Sequence, residues 1–430
     1  MRVDFSFGKQ GLALELPAGP DYQVLEARWA RPLEDPGREL EQALGAPIGC
    51  APLAELARGR RTAAISVCDI TRPAPNRMTL PPVLRRLEEA GIGREDTTIL
   101  IATGLHRPAT EGEIREILGP EIAAAGYRIV NHDARDRDSH VWLGETSTGT
   151  PVWVDRRYVE ADLHLTLGFI EPHLMAGFSG ARKLIAPGLA YQDTIKTLHS
   201  PRFMRDARAV ENSIEDNPLD RELWEIAALA GHDFALDVVL AKGKKIAQVF
   251  AGAPRAAHDR GVAYAREVLM ERIGGPVDAV ITTSAGYPLD LTFYQAVKGV
   301  TAAAHIVKPG GIILLLAECC EGAGAPEFSA MLKEWADHAS FLRHIEDRPV
   351  VVDQWQLEKL ALAVLDRQIW FHTPGLPEEY RGNLWGRYFS NVSAAVEALV
   401  RALPPGAKVA VIPEGPYVLA RAEEPEPAVS

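Results

Sequence analysis

The chain has 430 residues, 47% hydrophobic and 24% charged, with a formal net charge of −12. That length suits two domains better than one core, and the acidic balance argues against a nucleic-acid surface, which needs a basic face. A small anionic ligand stays compatible if Arg and Lys are concentrated locally.

The longest apolar run, Ile312 to Ala317, falls far short of the ~20 residues that span a bilayer and reads as a buried strand. The N-terminal MRVDFSFG has no charged-then-apolar leader pattern. Cys50, Cys68, Cys319 and Cys320 form neither a CxxC pair nor a zinc spacing, and the adjacent Cys319 and Cys320 read as buried and reduced. A cytoplasmic protein with no membrane partner is the expectation.

In chain order, strands are expected at Thr62–Cys68, Thr97–Ala102, Tyr127–Asn131, Leu163–Leu167, Phe234–Leu240, Ala279–Thr283, Gly311–Ala317, Val350–Val352 and Lys408–Ile412. Helical patterns lie between them at Pro81–Ala90, at Glu111–Leu118 behind a Thr110/Glu113 capping box, and over roughly Pro254–Ile273. This alternation predicts two α/β domains with mainly parallel sheets, facing an interdomain active-site cleft. Gly274-Gly275-Pro276 stops the long helix and marks the boundary between 1–273 and 274–430. The last strand, from about residue 405, is expected to pack back on the first domain, and the tail after Ala422 to fray.

Four polar strings sit where such strands end, which is where parallel sheets gather ligands. Asp69-Ile70-Thr71-Arg72-Pro73 follows the first, and Pro73 keeps Arg72 extended. A guanidinium there could grip a carboxylate with two parallel bonds, or simply brace a turn against Asp69. Gly104-Leu105-His106-Arg107-Pro108 follows the second and offers a histidine placed for proton transfer, or an ordinary surface histidine. The third string runs from Glu171 to Gly188 and holds His173, Gly177, Ser179, Gly180 and Lys183, with His199 sixteen residues beyond the lysine. Its glycines allow backbone amides to approach a phosphate, and Lys183 is either its counter-charge, a nucleophile or an exposed lysine beside a turn. In the fourth, Tyr294, Gln295 and Lys298 open a helix, and the last two share a face fit to cradle a carboxylate or to meet solvent.

Taken together, DITRP, GLHRP, the Glu171–Gly188 stretch and YQAVK resemble the nickel-pincer lactate racemase family, which includes related 2-hydroxy-acid racemases and epimerases. The likeness spans about residues 60 to 300, with weaker support around Asp353-Gln354-Trp355-Gln356. The resemblance implies a nickel-pincer nucleotide, a pyridinium-3-thioamide-5-thiocarboxylate mononucleotide, covalently attached at Lys183 and with His199 as the protein's nickel ligand. It implies His106 and His173 as the acid/base pair. The substrate carboxylate would lie among Arg72, Gln295 and Lys298, with Tyr294 and Trp355 lining the pocket and Asp69, Thr71, Ser179 and Gly180 about the cofactor. Companion cofactor-synthesis enzymes are implied as partners.

This chain departs from the family pattern twice. Ala181 stands where a second glycine is usual before the lysine, and Leu174 and Met175 stand where a lactate pocket tends to carry aromatics. The second departure points to a substrate larger than, or different from, lactate.

The chemistry suits these residues. The C2–H of a hydroxy acid is a poor acid beside a carboxylate, so the hydrogen leaves more readily as hydride, which no side chain accepts and a cofactor must. Two bases serve two enantiomers. A Schiff-base lyase using Lys183 and a non-catalytic carboxylate or nucleotide sensor are the competing readings, while a hydrolase with a chelating HExxH-type motif finds no support.

Overall fold

The computed structural model describes residues 1–423, folded as two compact units. One comprises Trp29–His199 and Asp206–Val268; the other comprises Met1–Arg28, Ser200–Arg205 and the chain from Leu269 onward. The change of unit at Val268/Leu269 lies close to the expected boundary, but two expectations are corrected. The first 28 residues belong with the second unit because Asp21–Val24 pairs in parallel with Lys408–Ile412. For the same reason the last strands stay in that unit and do not return to the first. Strand pairing across nearly the whole chain length leaves no local trace in sequence.

The first unit is a six-stranded sheet in the order Lys245–Gly252, Phe234–Ala241, Leu163–Phe169, Ala63–Cys68, Thr97–Ala102, Arg128–Asn131. All neighbours are parallel except the outermost pair, Phe234–Ala241 with Lys245–Gly252. Ala63–Cys68 is buried along its whole length, as a strand covered on both faces must be. Strand order runs outward in one direction from Ala63–Cys68 to Thr97–Ala102 and in the other to Leu163–Phe169. The switch point therefore lies between the strands that precede Asp69 and Glu171.

The second unit is built alike, in the order Arg387–Tyr388, Gln368–His372, Val307–Leu316, Val277–Thr283, Lys408–Ile412, Asp21–Val24, with every pair parallel. Its core gathers around the helix Phe293–Ala304, whose Phe293, Ala296, Val297 and Val300 are fully buried.

Local signals succeed where they are complete. Thr110 and Glu113 form both halves of the capping box on Glu111–Leu118. The helix expected from Pro81 begins instead at Asn76, because burial of Asn76, Thr79 and Leu80 outweighs the cost of two interior prolines. The long helix ends at Leu269, not Ile273, since Met270–Ile273 pairs in parallel with Leu419–Ala422. Val350–Val352 is a loop entering the helix Gln354–Val364, with Val351 exposed. Cys319 is buried as expected, whereas Cys320 is exposed; all four cysteines are free. Among the described residues no helix is long and apolar enough to cross a membrane. The expectation for the tail beyond Glu423 lies outside the described residues.

Candidate active site

Three adjacent parallel strands of the first unit end at one edge of the sheet, and their loops carry most of the expected site. Asp69 follows Ala63–Cys68 directly and is 5% exposed. Its carboxylate accepts from Thr71 Oγ1 at 2.7 Å and meets His106 Nδ1 at 2.8 Å. Its backbone carbonyl accepts from the Arg72 amide at 3.2 Å, which closes the turn. Arg72 lies exposed on the same turn and acts on Asp69 through space. Burial raises the Asp69 carboxyl, but His106, Thr71 and Arg72 more than offset it, so the group stays below the usual carboxylate range.

His106 sits past Gly104, whose φ of +54° suits glycine. The half-exposed imidazole turns Nδ1–H toward Asp69, which leaves the lone pair on Nε2. An orienting carboxylate on one ring nitrogen and an open lone pair on the other is the arrangement of a general base.

His173 is the opposite case. It lies on the short hairpin Pro172–His173/Gly177–Phe178. Its Nδ1 accepts from the backbone amides of Met175 at 3.4 Å and Ala176 at 3.2 Å. The ring proton is thereby placed on Nε2, and the two histidines carry their protons on opposite nitrogens.

Lys183 follows in a single 3-10 turn, Ala181–Leu184. Burial, then the charges of Arg72 and Arg182, hold its amine down to about 7. Near neutral pH a large share of it is an unprotonated nucleophile. His199 ends the helix Gln192–Leu198 and is 9% exposed. Its Nδ1–H donates to Ile195 O at 2.7 Å, fixing the lone pair on Nε2. Burial lowers it, the Ile195 bond partly restores it, and the Lys183 charge lowers it further, to about 4. A neutral imidazole with its second nitrogen tied to a carbonyl is how proteins present a histidine to a metal. Among the described residues no three His, Cys, Asp or Glu side chains cluster as a metal cage.

The expected phosphate cradle is built differently. Ser179 Oγ donates to Phe169 O at 2.8 Å and accepts from Glu171 N at 2.9 Å, so its hydroxyl closes the loop. The amides of Phe178, Ser179 and Ala181 go to Ala176 O, Glu171 O and the Asp237 carboxylate. Gly177 is required by packing, since a Cβ there would stand 2.1 Å from Ser213 O. Ala181, the departure from the family pattern, is fully buried at φ +40°. An L side chain in that region costs roughly 1–2 kcal/mol.

Sequence reasoning passed over the groups that hold this loop. Arg182 is fully buried and donates to the carbonyls of Ala176, Phe178, Ser179 and Gly180, besides pairing with Asp220 at 2.6 Å and His258 at 2.6 Å. Asp237, also fully buried, takes the Ala181 amide, and burial pushes its carboxyl up to about 7. The available signal was one aspartate inside the otherwise apolar run Phe234–Ala241 and an arginine directly before Lys183 in Ala181–Ala186.

Tyr294, Gln295, Lys298 and Trp355 belong to the second unit. Thr292 caps the helix Phe293–Ala304. Tyr294 packs edge-on against Phe328, and its carbonyl accepts from Gln356 Nε2 at 2.9 Å. Gln295 Oε1 is a buried acceptor without a hydrogen-bond partner among the described residues. Trp355 is 8% exposed in the first turn of Gln354–Val364.

Comparison with known proteins finds similarity over most of the chain. Residues 7–212 match the lactate racemase N-terminal domain and residues 274–420 the lactate racemase C-terminal domain. The lactate racemase of Thermoanaerobacterium thermosaccharolyticum is 32% identical over 424 residues, 97% of this chain and 99% of that one. That of Lactiplantibacillus plantarum is 34% identical over 385 residues, covering 89% and 90%. The Thermoanaerobacterium apoprotein structure superposes with a TM-score of 0.91 at 32% identity, covering 99% of this chain and 100% of that one. A Thermotoga maritima protein structure, 15% identical with a TM-score of 0.66 over 92% of this chain and all of that one, shares the fold. The chain belongs to the lactate racemase family of isomerases.

Proposed function

We propose that this protein inverts C2 of a 2-hydroxy acid, holding a nickel-pincer nucleotide covalently at Lys183 and through His199. The observation that carries the reading is the state of that pair. His199 is held neutral with its lone pair on Nε2, and burial leaves a large share of the neighbouring Lys183 amine unprotonated near neutral pH, able to act as a nucleophile. When bound, the group supplies a reversible hydride acceptor, which side chains cannot provide.

The chain's own residues do the rest. His106 Nε2 takes the substrate hydroxyl proton while Asp69 holds the ring and stabilises the imidazolium. To return a proton on the opposite side, His173 must first take a solvent proton on Nδ1 at the expense of the Met175 and Ala176 contacts; donation from Nε2 then leaves a neutral ring with its lone pair on Nε2, the base for the other enantiomer, while the His106 imidazolium serves as that direction's acid. Arg72 binds the carboxylate. For Gln295, Lys298, Tyr294 and Trp355 the assignment rests on their motifs, as do the roles of Thr71, Ser179 and Gly180 beside the cofactor. Loading requires companion cofactor-synthesis enzymes.

The substrate is larger than, or different from, lactate on this reading. Of the two residues that suggested this, Met175 is 5% exposed and serves the core, so the argument falls on the half-buried Leu174. The depressed Lys183 amine also favours a second reading, a Schiff-base lyase.

The test is protein produced alongside the cofactor-synthesis enzymes. Intact mass should show an adduct mapping to Lys183, with about one nickel per adduct. Single enantiomers of a panel of 2-hydroxy acids should lose optical rotation. No adduct, no nickel and borohydride trapping of a keto acid on Lys183 would transfer the case to the lyase.

A further inference from the structure

Lys183 follows a residue whose every donor group is spent on the loop or its supports. The Arg182 guanidinium has no solvent exposure. It donates to Ala176 O at 3.1 Å, Phe178 O at 3.0 Å, and Ser179 and Gly180 O at 3.3 Å each. On its other side Nε reaches Asp220 Oδ1 at 2.8 Å, and NH1 reaches His258 Nε2 at 2.6 Å. Asp220 stands on the helix Pro218–Ala230 and His258 on Pro254–Leu269, so the loop is referred to two helices at once.

Asp237 completes the closure from below by accepting the Ala181 amide at 3.0 Å. The fit is tight there, since a Cβ on Gly180 would lie 3.0 Å from Asp237 Oδ2 and one on Gly168 2.8 Å from Oδ1. The closed loop holds Ala181 at φ +40°, a conformation that an alanine in an untethered loop would leave. A strained backbone persists only where its surroundings over-determine it. Here the surroundings are Arg182 and Asp237, and the beneficiary is the side chain two residues on.

We propose that Arg182 is a positioning residue for covalent cofactor attachment: its buried guanidinium closes residues 176–180 into a rigid collar that presents the Lys183 amine. This rests on the reading of Lys183 as the attachment point. A planar fork bonded to four carbonyls cannot be replaced by a point charge, so Arg182→Lys separates geometry from charge.

The experiment loads wild-type and Arg182→Lys protein side by side and measures adduct per chain by intact mass and turnover per adduct. We expect adduct per chain to fall about 10–100-fold in the variant, the scale of a slightly misplaced reacting group. Turnover per adduct should fall less than adduct per chain, because the collar reaches the reaction only through its pairing with the His173 hairpin. A general loss of structure would lower both quantities together and overturn the specific role. Should Arg182→Lys not fold, Asp220→Asn keeps the loop's own bonds and removes only the carboxylate that aims the guanidinium. It should lower adduct per chain by roughly threefold to tenfold. Undiminished adduct in either folded variant overturns the proposal while leaving the attachment site standing. No adduct on the wild-type chain overturns both.

Discussion

The two units share an architecture and spend their interiors differently. In the first, the strand ends rest on buried charge: Arg182 with Asp220, Asp237 beneath Ala181, and Asp69 behind His106. In the second, the equivalent edge after Val277–Thr283 rests on hydroxyls and one acid. Thr283 Oγ1 donates to Pro413 O, Ser284 Oγ donates to Leu289 O, and Asp290 accepts from the amides of Gly8 and Glu318. Buried ions are costly to keep and aim their partners narrowly, whereas hydroxyls satisfy a turn without setting a charge state. The first unit is therefore built to fix protonation and tautomer, and the second to seat a helix.

The largest expected effects should fall on the histidines of the first unit. His106→Ala and His173→Ala should each lower turnover per loaded site by about 10²–10⁴-fold, the usual contribution of a general acid or base. Polarimetry on loaded protein reads this, and full activity in either variant breaks the contrast at its strongest point.

Next is the buried ion pair of the second unit, where Arg205 meets the fully buried Glu358 at 2.9 Å and Lys359 Nζ donates to Met204 O at 3.0 Å. Glu358→Ala leaves the partly exposed Arg205 with Glu346 and Leu342 O and should cost about 1–3 kcal/mol in denaturant unfolding, the range of a lost hydrogen bond to a charged group. A cost within experimental error would show this pair to be dispensable, sharpening the difference between the units.

The third concerns pH. Burial and the Arg72 and Arg182 charges disfavour the Lys183 ammonium, so the amine is protonated below about 7 and free above it. Acetylation of Lys183 in cofactor-free protein, followed by peptide mass spectrometry, should have its midpoint near that value, and Arg72→Ala should raise it. A midpoint at the ordinary lysine value of ~10.4 would remove the electrostatic half of the comparison.

The smallest effect is expected at Ala181. Glycine adopts φ +40° without penalty, so Ala181→Gly should raise stability by about 1 kcal/mol, visible as a modest rise in Tm. A loss of stability would mean that the alanine methyl contributes packing worth more than its strain.

Elements whose signals are local are legible in the sequence. The Thr110/Glu113 cap, the buried strand Ala63–Cys68 and the strings carrying His106, His173 and Lys183 all depend on neighbours a few residues away. Val350–Val352 was misread because a short β-branched run fits a strand or the approach to a helix equally well. The bonds by which Ser179 and Gly177 shape their loop are not legible in sequence, because a glycine-rich loop looks the same whether its amides face a phosphate or its own carbonyls.

What the sequence by itself determined is the inventory: an α/β alternation, the residues proposed to move protons and hold a cofactor, and their order along the chain. Only the tertiary structure decided which unit the first 28 residues join, which nitrogen of each histidine carries the proton, and that Arg182 and Asp237 lock the lysine's loop. The physical reason is range. Propensity, capping and apolar period act over a few residues, whereas hydrogen-bond partners, burial and charge depend on groups brought close from far along the chain.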